Sequence, residues 1–125
     1  MKIRNDLIEA YSKLMQKLIL EEMPYKTRKK LNNISKEIFK SAEHIEKTRI
    51  DIVKSIAEKY DIKPDEKGSY KFEDDSIEEI NKQLTELFTD EEDYAVQLFD
   101  EQEIEHLKFN GAELDLFSIF VKEGE

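Results

Sequence analysis

The sequence predicts a mainly α protein with a minor β component: an N-terminal antiparallel helical hairpin with one long helix, followed by a small acidic lobe with a short β-ribbon and short helices. Three observations carry this prediction. Leu31, Ile34, Ile38, Ala42, Ile45, Ile52 and Ile56 recur at steps of three, four or seven, which aligns them on one stripe of a 3.6-residue helix. Proline at position 24 separates that stripe from a preceding apolar face, as a hairpin bend requires. Charge is divided as well. Residues 1–60 carry 14 Lys+Arg against 9 Asp+Glu, whereas residues 61–125 carry 6 against 21. The expected organisation is a hairpin over 1–60 with an acidic lobe over 61–125 packed on it, one domain overall, as suits a chain of 125 residues.

Taken in order, residues 3–22 read as the first helix. Asn5 or Asp6 is the expected cap; Leu7, Tyr11, Leu14 and Leu18 share a face that Ile8, Met15 and Ile19 widen. Glu21-Glu22-Met23-Pro24 ends it, and Pro24 can sit in the first turn of the next helix. That next helix fills most of Pro24 to Tyr60. At 1.5 Å per residue a spine of roughly 35 residues is about 50 Å long, so part of it is expected to project or to meet a partner. Asp61 to Gly68 collects proline, glycine and charge and reads as a turn and boundary. Ser69-Tyr70-Lys71-Phe72 alternates as a short strand would. Ser76-Ile77-Glu78-Glu79 matches a capping box ahead of the stripe Ile77, Ile80, Leu84, Leu87 and Phe88. Tyr94 to Phe99 shows period two and is expected to pair with the Tyr70 segment. Glu101 to Leu107 reads as a short helical turn, Asn110-Gly111 as a break, and Leu114, Phe117, Phe120 and Val121 as a last short helix that closes the core or docks on a partner.

The same residues narrow the chemistry. There are no cysteines, hence no disulfide or thiolate metal site, and the start offers neither a signal-peptide core nor a membrane span. A soluble, intracellular protein is expected. Glu103 and His106 have the Glu-x-x-His spacing of carboxylate-bridged metal bundles, but such sites need a second motif and two more glutamates. The loop from Asp61 to Phe72 lacks the alternate-position acids of a calcium loop. Neither His44 nor His106 lies in a nucleophile signature, and three glycines leave no phosphate-cradling loop. No metal, no cofactor and no catalytic residue is expected, and the chain reads as a non-enzyme.

Partner binding is the remaining reading. Lys26, Arg28, Lys29 and Lys30 form the densest basic stretch, at the bend, and suit phosphate or an acidic protein surface. Asp90, Glu91, Glu92, Asp93, Asp100, Glu101 and Glu103 are the acidic candidates. The plainer and preferred expectation is that the basic half neutralises the acidic half within the molecule. Helix stripe left uncovered after hairpin formation would bind another protein or a second copy through the long helix. The acidic total disfavours nucleic acid as a partner.

Several pieces together resemble a family of small, uncharacterised bacteriophage and prophage proteins. They are Ile3 with Asn5-Asp6-Leu7-Ile8, Met23-Pro24-Tyr25-Lys26-Thr27-Arg28-Lys29-Lys30-Leu31 at the bend, and Ile45-Glu46-Lys47-Thr48-Arg49 on the spine. Glu58-Lys59-Tyr60-Asp61, Asp65-Glu66-Lys67-Gly68 and the run Ile77 to Leu87 complete the set. The compact loop at Gly68 and the more acidic tail depart from the pattern. The resemblance implies a phage-encoded protein in the cytoplasm of a bacterial host or associated with the virion, binding a phage structural protein or a host protein in an assembly or adaptor role. It transfers no catalytic residue. Two alternatives stand beside it: an acidic inhibitor of a host enzyme or defence complex acting by nucleic-acid mimicry, and a nucleic-acid-associated factor using the basic bend.

Overall fold

A computed structural model describes residues 1–122. The element order is β1 (Lys2–Arg4), α1 (Asn5–Leu18), α2 (Tyr25–Lys59), α3 (Asp74–Thr89), β2 (Glu91–Asp93), α4 (Glu101–Ile104) and α5 (Gly111–Phe117), closed by a 3-10 turn at Ser118–Phe120. The mainly α expectation with a minor ribbon holds. One core draws on the whole described length, from Ile3 through Ile38 and Tyr94 to Phe120.

The hairpin forms as its apolar spacing requires. Ile8, Tyr11, Leu14, Met15 and Leu18 of α1 and Leu31, Ile34, Ile38 and Ile45 of α2 are all buried. Burial of each such side chain contributes about 1.5–3 kcal/mol. α1 is shorter than the expected 3–22 because Lys2–Arg4 becomes a strand and the chain leaves the helix at Ile19. Arg28, one turn into α2, donates through its guanidinium to the carbonyls of Ile19 and Glu21, satisfying acceptors that the end of α1 leaves open.

The long helix does not project with a bare apolar stripe. Its second half is covered by α3, and Ile56 is only 2% exposed. Past its end the chain reverses in a Schellman motif: Ile62 N–H donates to Ala57 O at 2.8 Å and Asp61 N–H to Glu58 O at 3.2 Å. Asp61 takes the left-handed conformation there, φ 53°. The turn at Asp65–Gly68 is as expected, its Asp65 carboxylate accepting from the Lys67 and Ser69 amides.

α3 starts one turn earlier than the Ser76 capping box implies. Glu73 is the cap, and its N–H donates to Ser76 Oγ at 3.0 Å. Asp74 and Asp75 then fill the first turn, where carboxylates favour the helix dipole. Glu79 is drawn away to the end of α2, accepting from Lys59 Nζ at 2.8 Å and from the Tyr60 hydroxyl at 2.7 Å.

The ribbon exists but from other residues than expected. β1 pairs antiparallel with β2, setting Lys2 opposite Asp93, Ile3 opposite Glu92 and Arg4 opposite Glu91. Opposite charges face each other across the strands, which favours this register. Neither Ser69–Phe72 nor Tyr94–Phe99 forms a strand. The period-two signal in Tyr94–Phe99 has a different cause. Tyr94 hydroxyl donates to Ser41 Oγ at 2.7 Å, and Leu98 O accepts from Lys30 Nζ at 3.0 Å. The segment therefore runs down α2 as an extended strap. From 94 to 98 an extended chain covers about 13 Å and the eleven helical steps from 41 to 30 about 16 Å. The strap alternates burial against a helix instead of a sheet.

It ends where Phe99 N–H donates to Phe120 O at 2.8 Å and Phe99 O accepts from Lys122 N–H at 2.8 Å. The last segment closes the core. Phe117 is fully buried, with ring centroids 5.2 Å from Phe99, 5.0 Å from Phe109 and 5.4 Å from Phe120.

Candidate functional site

The bend and α4, about 70 residues apart in sequence, meet in one cleft of about 560 Å³. Pro24, Lys26, Thr27, Lys29 and Lys30 form one wall; Asp100, Gln102, Glu103 and His106 form the other, with Gln97 of the strap beside them. Helical spacing builds the first wall: 26, 29 and 30 fall on one side of the first turns of α2. The second is built by a capping arrangement at α4, where Asp100 N–H donates to Glu103 Oε1 at 3.0 Å.

Lys30 and Glu103 close the floor. Their ammonium and carboxylate lie 2.6 Å apart with side chains 13% and 17% exposed, and Lys30 also stands 5.8 Å over the Phe99 ring. Burial pushes the Glu103 carboxyl up, yet the Asp100 amide and the Lys30 ammonium outweigh it and hold it below the usual carboxylate range. Glu103 Oε1 takes both donors, while Oε2 is buried with no hydrogen-bond partner. Asp100 on the rim is held low by Lys122, 3.1 Å away.

The sequence candidates thus separate into groups. Lys30 and Arg28 are turned inward, the one on Glu103 and Leu98, the other on the end of α1. Lys26 and Lys29 are exposed on the cleft rim and belong to no ion pair among the described residues. Asp100 and Glu103 join them in the cleft; Glu101 is exposed on α4 next to it. Asp90, Glu91, Glu92 and Asp93 are elsewhere. They run into and along β2, beside the first residues of α1, where Asp90 O accepts from Asn5 N–H at 2.9 Å. Asp93 is held low by the amine of Met1 at 2.7 Å. The two acidic clusters therefore lie near opposite ends of α1, which is about 20 Å long.

Three ion pairs join the halves, Lys17 with Glu113 at 2.6 Å, Lys30 with Glu103 at 2.6 Å and Lys59 with Glu79 at 2.8 Å, so that of the basic bend only Lys30 meets the neutralisation expectation. Among the described residues no three His, Asp or Glu side chains converge in a way that would hold a metal ion. Glu103 faces Lys30, while His106 lines the cleft. The cleft presents the Lys26 and Lys29 ammonium groups, unpaired among the described residues, with two primary amides and an imidazole around the Lys30–Glu103 ion pair.

Asn5 is not the expected cap but the first helical residue behind Arg4, and the sequence reading singled out neither its tertiary contact nor Lys36, Lys40 and Lys47. Asn5 is 6% exposed and its Nδ2 donates to Leu87 O at 2.8 Å, tying α1 to the end of α3. No local pattern signals that contact, which depends on a residue 82 positions away. The lysines left a signal: Lys26, Lys29, Lys36, Lys40 and Lys47 recur at steps of three, seven, four and seven.

Fold and cleft define a mainly helical chain whose long helix buries an apolar stripe on one face and sets lysines on the other. Comparison with protein-family models, curated proteins and solved structures returns no match. No helix among the described residues is long and apolar enough to cross a membrane.

Proposed function

We propose that this chain is a non-enzymatic protein-interaction protein of bacteriophage or prophage origin, with an assembly or adaptor role in the host cytoplasm or on the virion. The observation that supports it is the cleft between α2 and α4. Lys26 and Lys29, unpaired among the described residues, stand there beside Gln102 and His106, arranged around an ion pair that the fold already uses. A rim of that kind hydrogen-bonds a polar segment of another protein, with the Lys30–Glu103 pair fixing the geometry. The apolar stripe of α2, once covered by α1 and α3, is assigned to the fold and not to the partner.

Affinity capture of the tagged protein from infected and uninfected cells, with mass spectrometry after a salt wash, tests this. Recovery of phage structural proteins from infected cells, lost in the double variant Lys26→Glu with Lys29→Glu, is the expected result. A second reading, inhibition of a host nucleic-acid enzyme, is favoured by the exposed Asp90, Glu91 and Glu92. It requires recovery of a host enzyme from uninfected cells that charge reversal at those three positions abolishes.

A further inference from the structure

The face of α2 opposite its buried stripe is the least explained surface of the molecule. Lys36, Lys40 and Lys47 are exposed and enter no ion pair among the described residues, continuing the line begun by Lys26 and Lys29. From Lys26 to Lys47 that line is about 31 Å long, with successive lysines seven residues apart separated by about 10 Å. Beyond Lys47 the seven-residue step continues to Lys54, but Asp51 and Glu58 share that face, so the net cationic part stops at Lys47. Beside Lys36 and Lys40 runs a shallow groove with Ile19, Ser35 and Phe39 along it and Glu43 at one corner. Ser35 is 3% exposed and its Oγ has no hydrogen-bond partner. Leu20, next to Ile19 in the chain, is 84% exposed.

Cations alone on a helix back are ordinarily a solvated face. Here they border apolar surface that the fold leaves open, and the two features call for one complementary occupant. We infer that this face docks an acidic amphipathic helix of a partner protein, its apolar side chains seated on Ile19 and Phe39 and its carboxylates on Lys36, Lys40 and Lys47. The inference rests on the protein-interaction reading above and adds a second surface with a defined partner chemistry.

Charge complementarity sets the occupant's sign. The molecule is acidic overall, but at physiological salt charges more than about 8 Å away are largely screened, so the local lysines govern contact. The heptad spacing of the lysines suits a helix lying along α2, whose own carboxylates recur at the same period. A second copy docking through the same face would set lysine against lysine and is disfavoured. A polynucleotide would satisfy the lysines yet leave Ile19 and Phe39 without a counterpart. Glu43 repels a carboxylate at its corner and so fixes the direction in which the helix lies.

The test uses the full chain and a fluorophore-labelled synthetic helical peptide carrying glutamates at heptad spacing with leucines one turn away. Its leucine-to-alanine version and a DNA duplex of the same net charge serve as comparison probes. Fluorescence anisotropy is expected to show binding of the leucine peptide that weakens at least tenfold with Lys36→Glu plus Lys40→Glu, and at least tenfold again with the alanine peptide. Both substituted positions are exposed, so the variant keeps the helical circular dichroism of the parent. Equal binding of the two peptides, binding unaffected by the lysine reversal, or binding of the duplex alone would overturn the inference. If the designed peptide fails while infected-cell capture still succeeds, the groove assignment falls and the interaction reading stands; if both fail, both fall.

Discussion

The two faces of α2 share a backbone and a helix but have been given different work. On the inner face Leu31, Ile34, Ile38 and Ile45 are buried under α1 and the strap, and even its flanking cations are enlisted: Arg28 caps α1 and Lys30 binds Glu103. On the outer face Lys36, Lys40 and Lys47 touch no carboxylate within ion-pair range among the described residues. A lysine's sequence neighbourhood does not decide which role it takes. Lys29 and Lys30 are adjacent, yet one faces water and the other lies beneath the strap, because a helix turns about 100° between them.

The difference is open to measurement, beginning with the largest effect. Ile38→Ala on the inner face removes buried volume from a residue that is 1% exposed, and urea unfolding is expected to show a loss of about 3–4 kcal/mol. Lys30→Met leaves Glu103 charged, with one oxygen already without a partner, and is expected to cost about 2–3 kcal/mol. Adding Glu103→Gln to that variant should recover part of the loss, and a double-variant cycle with no coupling would break the assignment of Lys30 to the fold.

Acid sharpens the contrast further. Lys59 and Tyr60 hold Glu79 low, Lys17 holds Glu113 low, and Glu103 is held low by the Asp100 amide and Lys30 against the opposing effect of burial. A depressed carboxyl contributes stability that is present above its ordinary range and is lost as pH falls through its folded value. Thermal midpoints are therefore expected to drop below about pH 4, and Glu79→Gln should flatten that dependence. At the small end, Lys36→Gln, Lys40→Gln and Lys47→Gln together should leave the urea midpoint within about 0.5 kcal/mol of the parent. A larger loss would show that the outer face also serves the fold.

The same division explains what the sequence disclosed. The hairpin was legible because a 35-residue helix repeats its apolar spacing enough times to be unmistakable, and its observed span, Tyr25–Lys59, falls inside the expected run. The acidic lobe was legible only in its local pieces. The break read at Asn110-Gly111 is where α5 begins, with Asn110 and Glu113 forming a reciprocal cap, and Leu107, Phe117 and Phe120 are buried as their spacing implies. Strand pairing was not legible, since Lys2–Arg4 and Glu91–Asp93 are three-residue strands whose register depends on a contact nearly 90 residues away. Tyr94–Phe99 misled because alternation reports one buried side, and a helix can supply that side as well as a sheet can. Of the candidate site, Lys26 and Lys29 were found together with Asp100 and Glu103, but nothing local indicated that Asp90–Asp93 would be carried to the other end of α1.

If the inner face of α2 belongs to the fold and the outer face to a partner, amide NMR of the labelled protein titrated with the acidic leucine peptide will separate the two. The expected result is a set of shifts confined to Ile19, Leu20 and the stretch Asn32 to Lys47, with Glu91–Asp93 unmoved. Shifts centred on Glu91–Asp93, or none at saturating peptide, would contradict it.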